Sequence, residues 1–551
     1  MTVAPADLLV VNARIWSPGG TLAETALAAA DGVITALGGD ELRDQVTAST
    51  IIDARGGLVT PGFIDAHVHA IFGGVEKNRC DLSLCESLEE AEATIQRYAS
   101  EHPEAPWILG GGWRMPWFPG GTPHRLDLDR LVPDRPAFLV NADHHGAWAN
   151  TRALELAGIT ADTADPADGR IERDDDGTPS GTLHEGAAEL LGDVMPETTI
   201  AELRQGLLDG EQYLFAHGIV GWQDAILGEY GGYPDITSVY AQLADEGALK
   251  AHVSGALWVS RGFDGLKIPE FVADLLRRRD EFARDGLTLD TAKIMVDGVA
   301  ENATAALHDD YLPESAECAC SRGTGLAYFS RDELIQLVPL LNEAGINVHF
   351  HAIGDRAVSY ALDAVAAVPA EVRTARRNHL AHLQIVRPAE LPRVAELGLT
   401  ANMQMVWACL DDQMVSLTFD LIGEDRVAWQ YPFGSLQRHG TTLACGSDWP
   451  VSTPDPWQAI HVGVTRQEPG GSRGPLLPHE ALTLEQALTA YTHGSHDLLG
   501  LPGGTIAVGA VCDLAIADRD PFARPITEIA DTKNVATVVR GEVVFRAGGG
   551  S

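Results

Sequence analysis

The sequence predicts an α/β protein: a (β/α)8 TIM-like barrel, a small β-domain made from both chain ends, and a cap inserted after the first barrel strand. Three observations carry this. Short apolar runs punctuated by Gly and Asp open the chain and return at its far end. Between them, apolar strands alternate with amphipathic helices. One interval, residues 80–200, is far too long to be a plain loop.

Taken in order, LLVVNARIW, TALAAADGVITALG and TIIDARGGLV read as short strands within residues 7–58, and GTIAVGAVCDLAIADRD and NVATVVRGEVVF repeat that texture over 504–545. Segments 1–58 and 503–551 are therefore assigned to one composite β-domain, and 59–79 with 201–502 to the barrel. Eight strands are expected at 61–69, 218–225, 250–259, 292–299, 346–355, 378–386, 399–407 and 442–451. AELRQGLLDGEQYLFAH (201–217) and RDELIQLVPLLNEAG (331–345) are two of the intervening helices. The Trp-, Pro- and Gly-rich stretch WILGGGWRMPWFPGGTP lies in the 80–200 cap.

The chain has 551 residues, enough for two or three domains. Its 78 acidic residues against 39 basic give a formal charge of −39. Such a field repels phosphate backbones and anionic membranes, so a small-molecule substrate is expected and nucleic acid and membrane are not. A homodimer stays open. The seven scattered cysteines, with Cys318 and Cys320 as a lone CxC, fit reduced thiols in a cytoplasmic setting. The N-terminus reads as a strand rather than a signal peptide, and the closing GGGS as a flexible tail.

The chemistry starts at PGFIDAHVHA, residues 61–70. His67 and His69 are two apart on a strand, so both imidazoles face one way, with Asp65 in register. Neutral imidazole is a common ligand for divalent transition metals. The other strand ends add Lys293, His349 and His351, His382, and Asp448. In a parallel barrel these ends converge on one face. Lys293 is one of only five lysines and sits in apolar AKIMVDGV. Either it pairs with Asp297 or Glu301, or its neutral amine takes up carbon dioxide as a carbamate that bridges two metals. Only one of the fifth-strand histidines is expected to bind metal. His351 is nearer the mouth, and His349 is the alternative. His382 is a ligand or a hydrogen-bonded core residue, with His379 facing the other way. Asp448 caps a helix, or binds metal and then serves as general base.

On TPGFIDAHVH, GGGW, ALELAGI, KIMVDGV, HAIGDRAV, GSDWPV, ALTAYT and GTIAVGAVCDLAIAD, the chain resembles the amidohydrolase superfamily, specifically its family 3 branch with N-substituted formamide deformylase. The resemblance implies that the terminal β-domain is a sandwich. It implies that His67, His69 and Asp448 hold one metal, zinc first among candidates, His351 and His382 hold a second, and carboxylated Lys293 bridges them. Ala381 replaces a frequent Glu, Gln404-Met405 a frequent Gln-Pro, and Gly509 to Asp513 depart from the usual closing strand.

The expected reaction is hydrolysis of a non-peptide C–N bond in an N-substituted amide, formamide or cyclic amide, with Asp448 as base. A related hydrolase acting on an ester, phosphotriester or ring imine is the alternative. A non-catalytic scaffold fits poorly, because all six candidate ligands are present. His145, with His144 as the lesser choice, is the expected oxyanion donor. Trp113, Trp117, Phe118 and Trp148 are cap core or pocket wall, and with Gln404 they form the expected substrate contacts. Glu185 belongs to the same cap edge.

Overall fold

The computed structural model describes residues 4–39, 41–313 and 323–548. Cys318, Cys320 and the last three residues lie outside these. Eight parallel strands form one sheet in the order expected for the barrel: β1 (Phe63–Val68), β2 (Ile219–Leu227), β3 (His252–Trp258), β4 (Leu287–Met295), β5 (Asn347–Ala352), β6 (His379–His382), β7 (Thr400–Met403) and β8 (Thr442–Cys445). Strands β2 and β5 are buried along their whole length, as expected for a parallel sheet clothed by helices. β4 starts earlier than its most apolar stretch, because Leu287, Leu289 and Thr291 alternate inward with exposed or half-buried Thr288 and Asp290.

The sheet closes on itself at the mouth. Asp448 N donates to His67 O (2.7 Å), His69 N to Trp449 O (2.9 Å), and Asn402 Nδ2 to Ala66 O (2.8 Å). Gly446 allows this approach: a Cβ there would lie 2.5 Å from His67 N.

The termini form a β-sandwich. One four-stranded sheet comes from the N-terminal segment alone, and a six-stranded sheet mixes both ends. Leu514 and Ile516 pair antiparallel with Pro61 and Val59. Leu8, Ile15, Leu27, Ile52, Leu514 and Val538 fill the space between the sheets. The 504–513 stretch is not a strand of its own sheet. It lies as an irregular edge against the other one, with Ile34 N donating to Ala510 O (2.9 Å) and Gly509 N to Ile34 O (2.8 Å).

The cap carries a six-stranded mixed sheet running from Cys80–Asp81 to Pro179–Glu185, with apolar clusters on its two faces. It leaves the barrel after helix α1 (Ala70–Lys77) and returns through helix α2 (Ile200–Ala216). These two helices touch backbone to backbone: a Cβ on Gly74 would sit 1.8 Å from Gly206 O. The insertion thus starts and ends at one clasp, which holds it over the mouth. Among the described residues no helix is long and apolar enough to cross a membrane.

Replacing Gly74 by Val is expected to push α1 and α2 apart and destabilise the protein by about 1–3 kcal/mol, as overpacking does. Thermal unfolding measures this. An unchanged melting temperature would show that the clasp carries no load.

Candidate active site

His67 and Lys293 point into the barrel near the mouth ends of β1 and β4, and His69 follows directly on β1. Lys293 pairs in register with His349 on β5, and Met295 with His351. Alternation therefore puts both histidines of β5 on the inner face, one above the other. His351 is the upper. Its Nε2 lies 3.2 Å from Gly298 O, a partner that suits a proton there and an Nδ1 lone pair. His349 lies one layer deeper, with Nε2 3.0 Å from His67 Nδ1. In a neutral imidazole one nitrogen carries the proton. Placing it on His67 Nδ1, toward His349, leaves the Nε2 lone pair free for a metal.

On β6 the structure corrects one expectation. His379 does not face away; its ring lies 4.2 Å from that of His349, inside the barrel. The reason is the backbone at the strand end. His382 and Leu383 have φ of 76° and 50°, which breaks the two-residue alternation and brings His382 back over the same interior. Asp448 is also left-handed, with φ of 59°, and turns its carboxylate toward the histidines. Non-glycine residues in this region cost on the order of 1–3 kcal/mol and persist where neighbours dictate them. Here Leu383 N is held by Ala352 O (3.1 Å) and Asp448 N by His67 O (2.7 Å).

His67 Nε2 and His69 Nε2 lie 3.3 and 3.2 Å from Asp448 Oδ1, and His382 Nδ1 lies 3.9 Å from Asp448 Oδ2. The His351 and His382 rings are 4.4 Å apart. Asp448 Oδ1 and His382 Nδ1 are buried without a hydrogen-bond partner. One ligand atom each from His67, His69 and Asp448 fits within 4.8 Å. Imidazole nitrogens converging on one carboxylate at these distances are an arrangement a divalent cation satisfies. The donor set therefore fits a metal, with His351 and His382 able to contribute to a second position.

Lys293 is 1% exposed, and its Nζ lies 3.4 Å from His67 Nε2. Asp297 and Glu301 do not pair with it. Asp297 accepts from the backbone N–H groups of Ala306, Ile353 and Gly354, and Glu301 from Thr418 and Gln384. Burial holds the lysine down at about 7, so much of it is a neutral amine near neutrality. Burial also drives His67 to about 3 and His351 and His382 well below the usual imidazole range, which keeps their nitrogens available as ligands.

A cavity of about 490 Å3 opens above this cluster, between barrel mouth and cap. His145 enters it from the cap. Its Nδ1 sits 3.0 Å from both oxygens of Glu185, which also accepts from Thr304 Oγ1 (2.8 Å). Burial disfavours the charged ring, but the Glu185 carboxylate outweighs it and lifts His145 to about 9. His145 is thus a cationic donor across from the metal ligands. His144 lines the same cavity and pairs with Glu76 at 3.3 Å.

The expected substrate contacts are largely elsewhere. Trp113, Phe118 and Trp148 pack edge to face in the cap core, and Trp117 packs against the same cluster. Their indole N–H groups explain the burial: Trp113 donates to Leu139 O (2.8 Å) and Trp148 to His124 O (3.0 Å). Gln404 is fully buried and touches no cavity wall; its Oε1 accepts from His382 N at 2.8 Å and steadies the β6 turn. The aromatics that do line the cavity include Phe72, Tyr230, Trp407, Tyr431 and Trp449. Trp407 stacks on His382 with centroids 5.2 Å apart. The signal for Phe72, Trp407 and Trp449 was position: each follows closely on the mouth end of a barrel strand.

Residues 50–545 match the amidohydrolase family. The chain belongs to the amidohydrolase family. Over its whole length this amidohydrolase is 27% identical to the putative amidohydrolase YtcJ of Bacillus subtilis (94% of each chain covered). It is also 27% identical to N-substituted formamide deformylase of Arthrobacter pascens (98% of this chain, 99% of the relative). A solved metal-dependent hydrolase from Pyrococcus furiosus superposes with a TM-score of 0.67 at 25% identity, covering 93% of this chain and 99% of that one. A second, from Pyrococcus horikoshii, has the same fold, with a TM-score of 0.71 at 24% identity over 94% and 99%. Family, fold and donor set agree on a metal-dependent hydrolase.

Exchanging His349 for Phe is expected to lower metal affinity about 10–100-fold by freeing the His67 ring, with partial recovery in His349→Gln. Competition against a chelator of known affinity measures it. Unchanged affinity would show that the deeper histidine does not orient the ligand.

Proposed function

We propose that this amidohydrolase cleaves a non-peptide C–N bond in an N-substituted amide, formamide or cyclic amide, with Asp448 as general base. The observation that carries the reading is the meeting of two halves: an aspartate among imidazole lone pairs on the barrel, and a cationic histidine on the cap facing them across one cavity. The name of the Arthrobacter pascens relative supports the bond type.

His67, His69 and Asp448 would hold one ion, zinc first, and His351 and His382 a second. Lys293, as a carbamate formed when its neutral amine adds carbon dioxide and loses a proton, would bridge them. A divalent ion held there lowers the pKa of water and polarises a carbonyl. Asp448 then takes a proton from the attacking water and returns it to the departing nitrogen, which leaves as a neutral amine. His145, anchored by Glu185, donates a hydrogen bond to the carbonyl oxygen as it becomes an oxyanion. Trp407 fixes the His382 ring from outside, and the lid formed by the cap excludes bulk water.

Asp448→Asn is expected to fold normally and lose about 10²–10⁴-fold in kcat, the usual worth of a positioned base. Wild-type turnover in that variant would remove Asp448 from the reaction. Chelation should abolish activity and added Zn2+ should restore it. A substrate panel read for amine, formate, ammonia and alcohol decides the bond: alcohol release from esters with every amide inert would overturn the C–N assignment. Glu185→Gln is expected to lower kcat about tenfold with little change in KM, because the donor acts on the oxyanion rather than on bound substrate.

A further inference from the structure

The cavity has a second end whose chemistry differs from the metal end. Beyond Trp407 the chain runs through Asp411, and the loops after β4, β7 and β8 add Glu301, Tyr431 and Glu468 to the same wall. Glu301 Oε1 accepts from Thr418 Oγ1 (2.7 Å) and from Gln384 Nε2 (3.3 Å), and Gln384 O in turn accepts from Tyr431 N (2.8 Å). Asp411 Oδ1 accepts from Met414 N (2.7 Å). Among the described residues none of the three carboxylates is in an ion pair. Arg473 goes to Asp412 instead, and Arg466 lies behind the wall, bonded to the carbonyls of Tyr431 and Leu476.

A second observation is independent of the acids. Tyr431 is 3% exposed and lines the cavity; its hydroxyl makes no hydrogen bond among the described residues and is not fully enclosed, so it opens on that cavity. A phenol buried to that degree ordinarily finds a partner. It sits in the field of Glu301 and Asp411. Among the described residues, the lysine and arginine side chains on the cavity surface are Lys293, at the metal end, and Arg114, exposed on the cap; the cationic His145 stands on the cap edge facing the metal ligands.

We propose that this lobe is a subsite for an organic cation: the substrate carries an ammonium, amidinium or guanidinium group that lies against Glu301, Asp411 and Tyr431, with Glu468 at the rim and the Trp407 ring beside it. The inference rests on the metal-dependent amide hydrolysis proposed above and names the substrate class for it. The acids lack a counter-ion of their own, and a ligand cation supplies one. Aromatic faces add to the attraction of a desolvated cation. Crowding supports the same reading: burial, with Glu301 and Glu468 adding to it, pushes Asp411 up to about 6, a repulsion that a bound cation relieves. The arrangement also sets orientation. A cation at this end leaves the other end of an elongated substrate at the metal ligands.

The test uses the full-length protein, both metal-loaded and chelated, so that the ion cannot be the source of selectivity. Butylguanidinium, its neutral near-isostere butylurea and the anion pentanoate are titrated by calorimetry. Butylguanidinium is expected to bind at least about tenfold more tightly than butylurea, and pentanoate not measurably. The preference should fall below about threefold in Asp411→Asn with Glu301→Gln. Should that double variant fail to fold, Glu468→Gln and Tyr431→Phe are each expected to weaken guanidinium binding while leaving butylurea unchanged. Equal binding of the cation and the urea, tighter binding of pentanoate, or a preference indifferent to these substitutions would overturn the subsite. The two readings fail separately. Cation selectivity with every amide inert removes the C–N reaction and keeps the subsite. Amide hydrolysis with kcat/KM independent of substrate charge does the reverse.

Discussion

A set of buried nitrogens converging on one carboxylate governs this structure. His67, His69 and His382 point nitrogen at one carboxylate, and Lys293 stands beside them without an acidic partner. Desolvation penalises charge on His67, His382 and Lys293, so those two imidazoles stay neutral and the lysine is drawn toward neutrality. Neutral donors gathered around a carboxylate in this way suit a divalent ion. The surrounding layer makes sense on those terms. His349 holds the His67 ring, Gln404 holds the backbone of His382, and Asp65 accepts from Ser447 to fix the turn that carries Asp448. None of these groups needs to touch substrate to matter.

Most of the barrel was legible because strand periodicity and helix amphipathicity are local signals, and eight of them in series allow few architectures. The inward placement of His67, Lys293 and His351 was legible for the same reason: all three follow strand alternation. His379 was misread where a left-handed residue at 382 interrupts that alternation, and nothing in NHLAHLQ announces such a turn. The cap tryptophans were misread because an aromatic-rich loop looks the same whether it faces a pocket or its own core. Only the third dimension shows Trp113 and Trp148 spending their N–H groups on Leu139 and His124. Glu185 was noticed without a role, since its partner His145 lies 40 residues away in the bend that leads into a neighbouring strand. The division of ligands between two metals came from family resemblance, not from spacing.

The cap is more than a cover. Helices α1 and α2 bring the insertion out and back at one point, so its sheet is tethered over the mouth, and its inner edge delivers His145 where the barrel has no donor. The candidate metal donors and the cationic His145 thus come from two different sheets. The hydrogen bonds of Thr304 to Glu185 and of Asn302 to the His145 carbonyl, both from the loop after β4, lock one onto the other.

That division extends to specificity. The metal ligands sit on or immediately after strands, whose positions are fixed by the closed ladder. The acidic lobe is built on loops after β4, β7 and β8, and meets the ligand shell where Trp407 stacks on His382 and where Gln384, two residues after His382, bonds Glu301 and Tyr431. Loop residues can change charge and shape without disturbing strand register. Under the proposed subsite, a substitution at Asp411 or Glu468 alters which molecule is held while the donor cluster on the strands stays in place. Separating a strand-borne donor cluster from a loop-borne charged wall lets one barrel keep its chemistry and change its substrate.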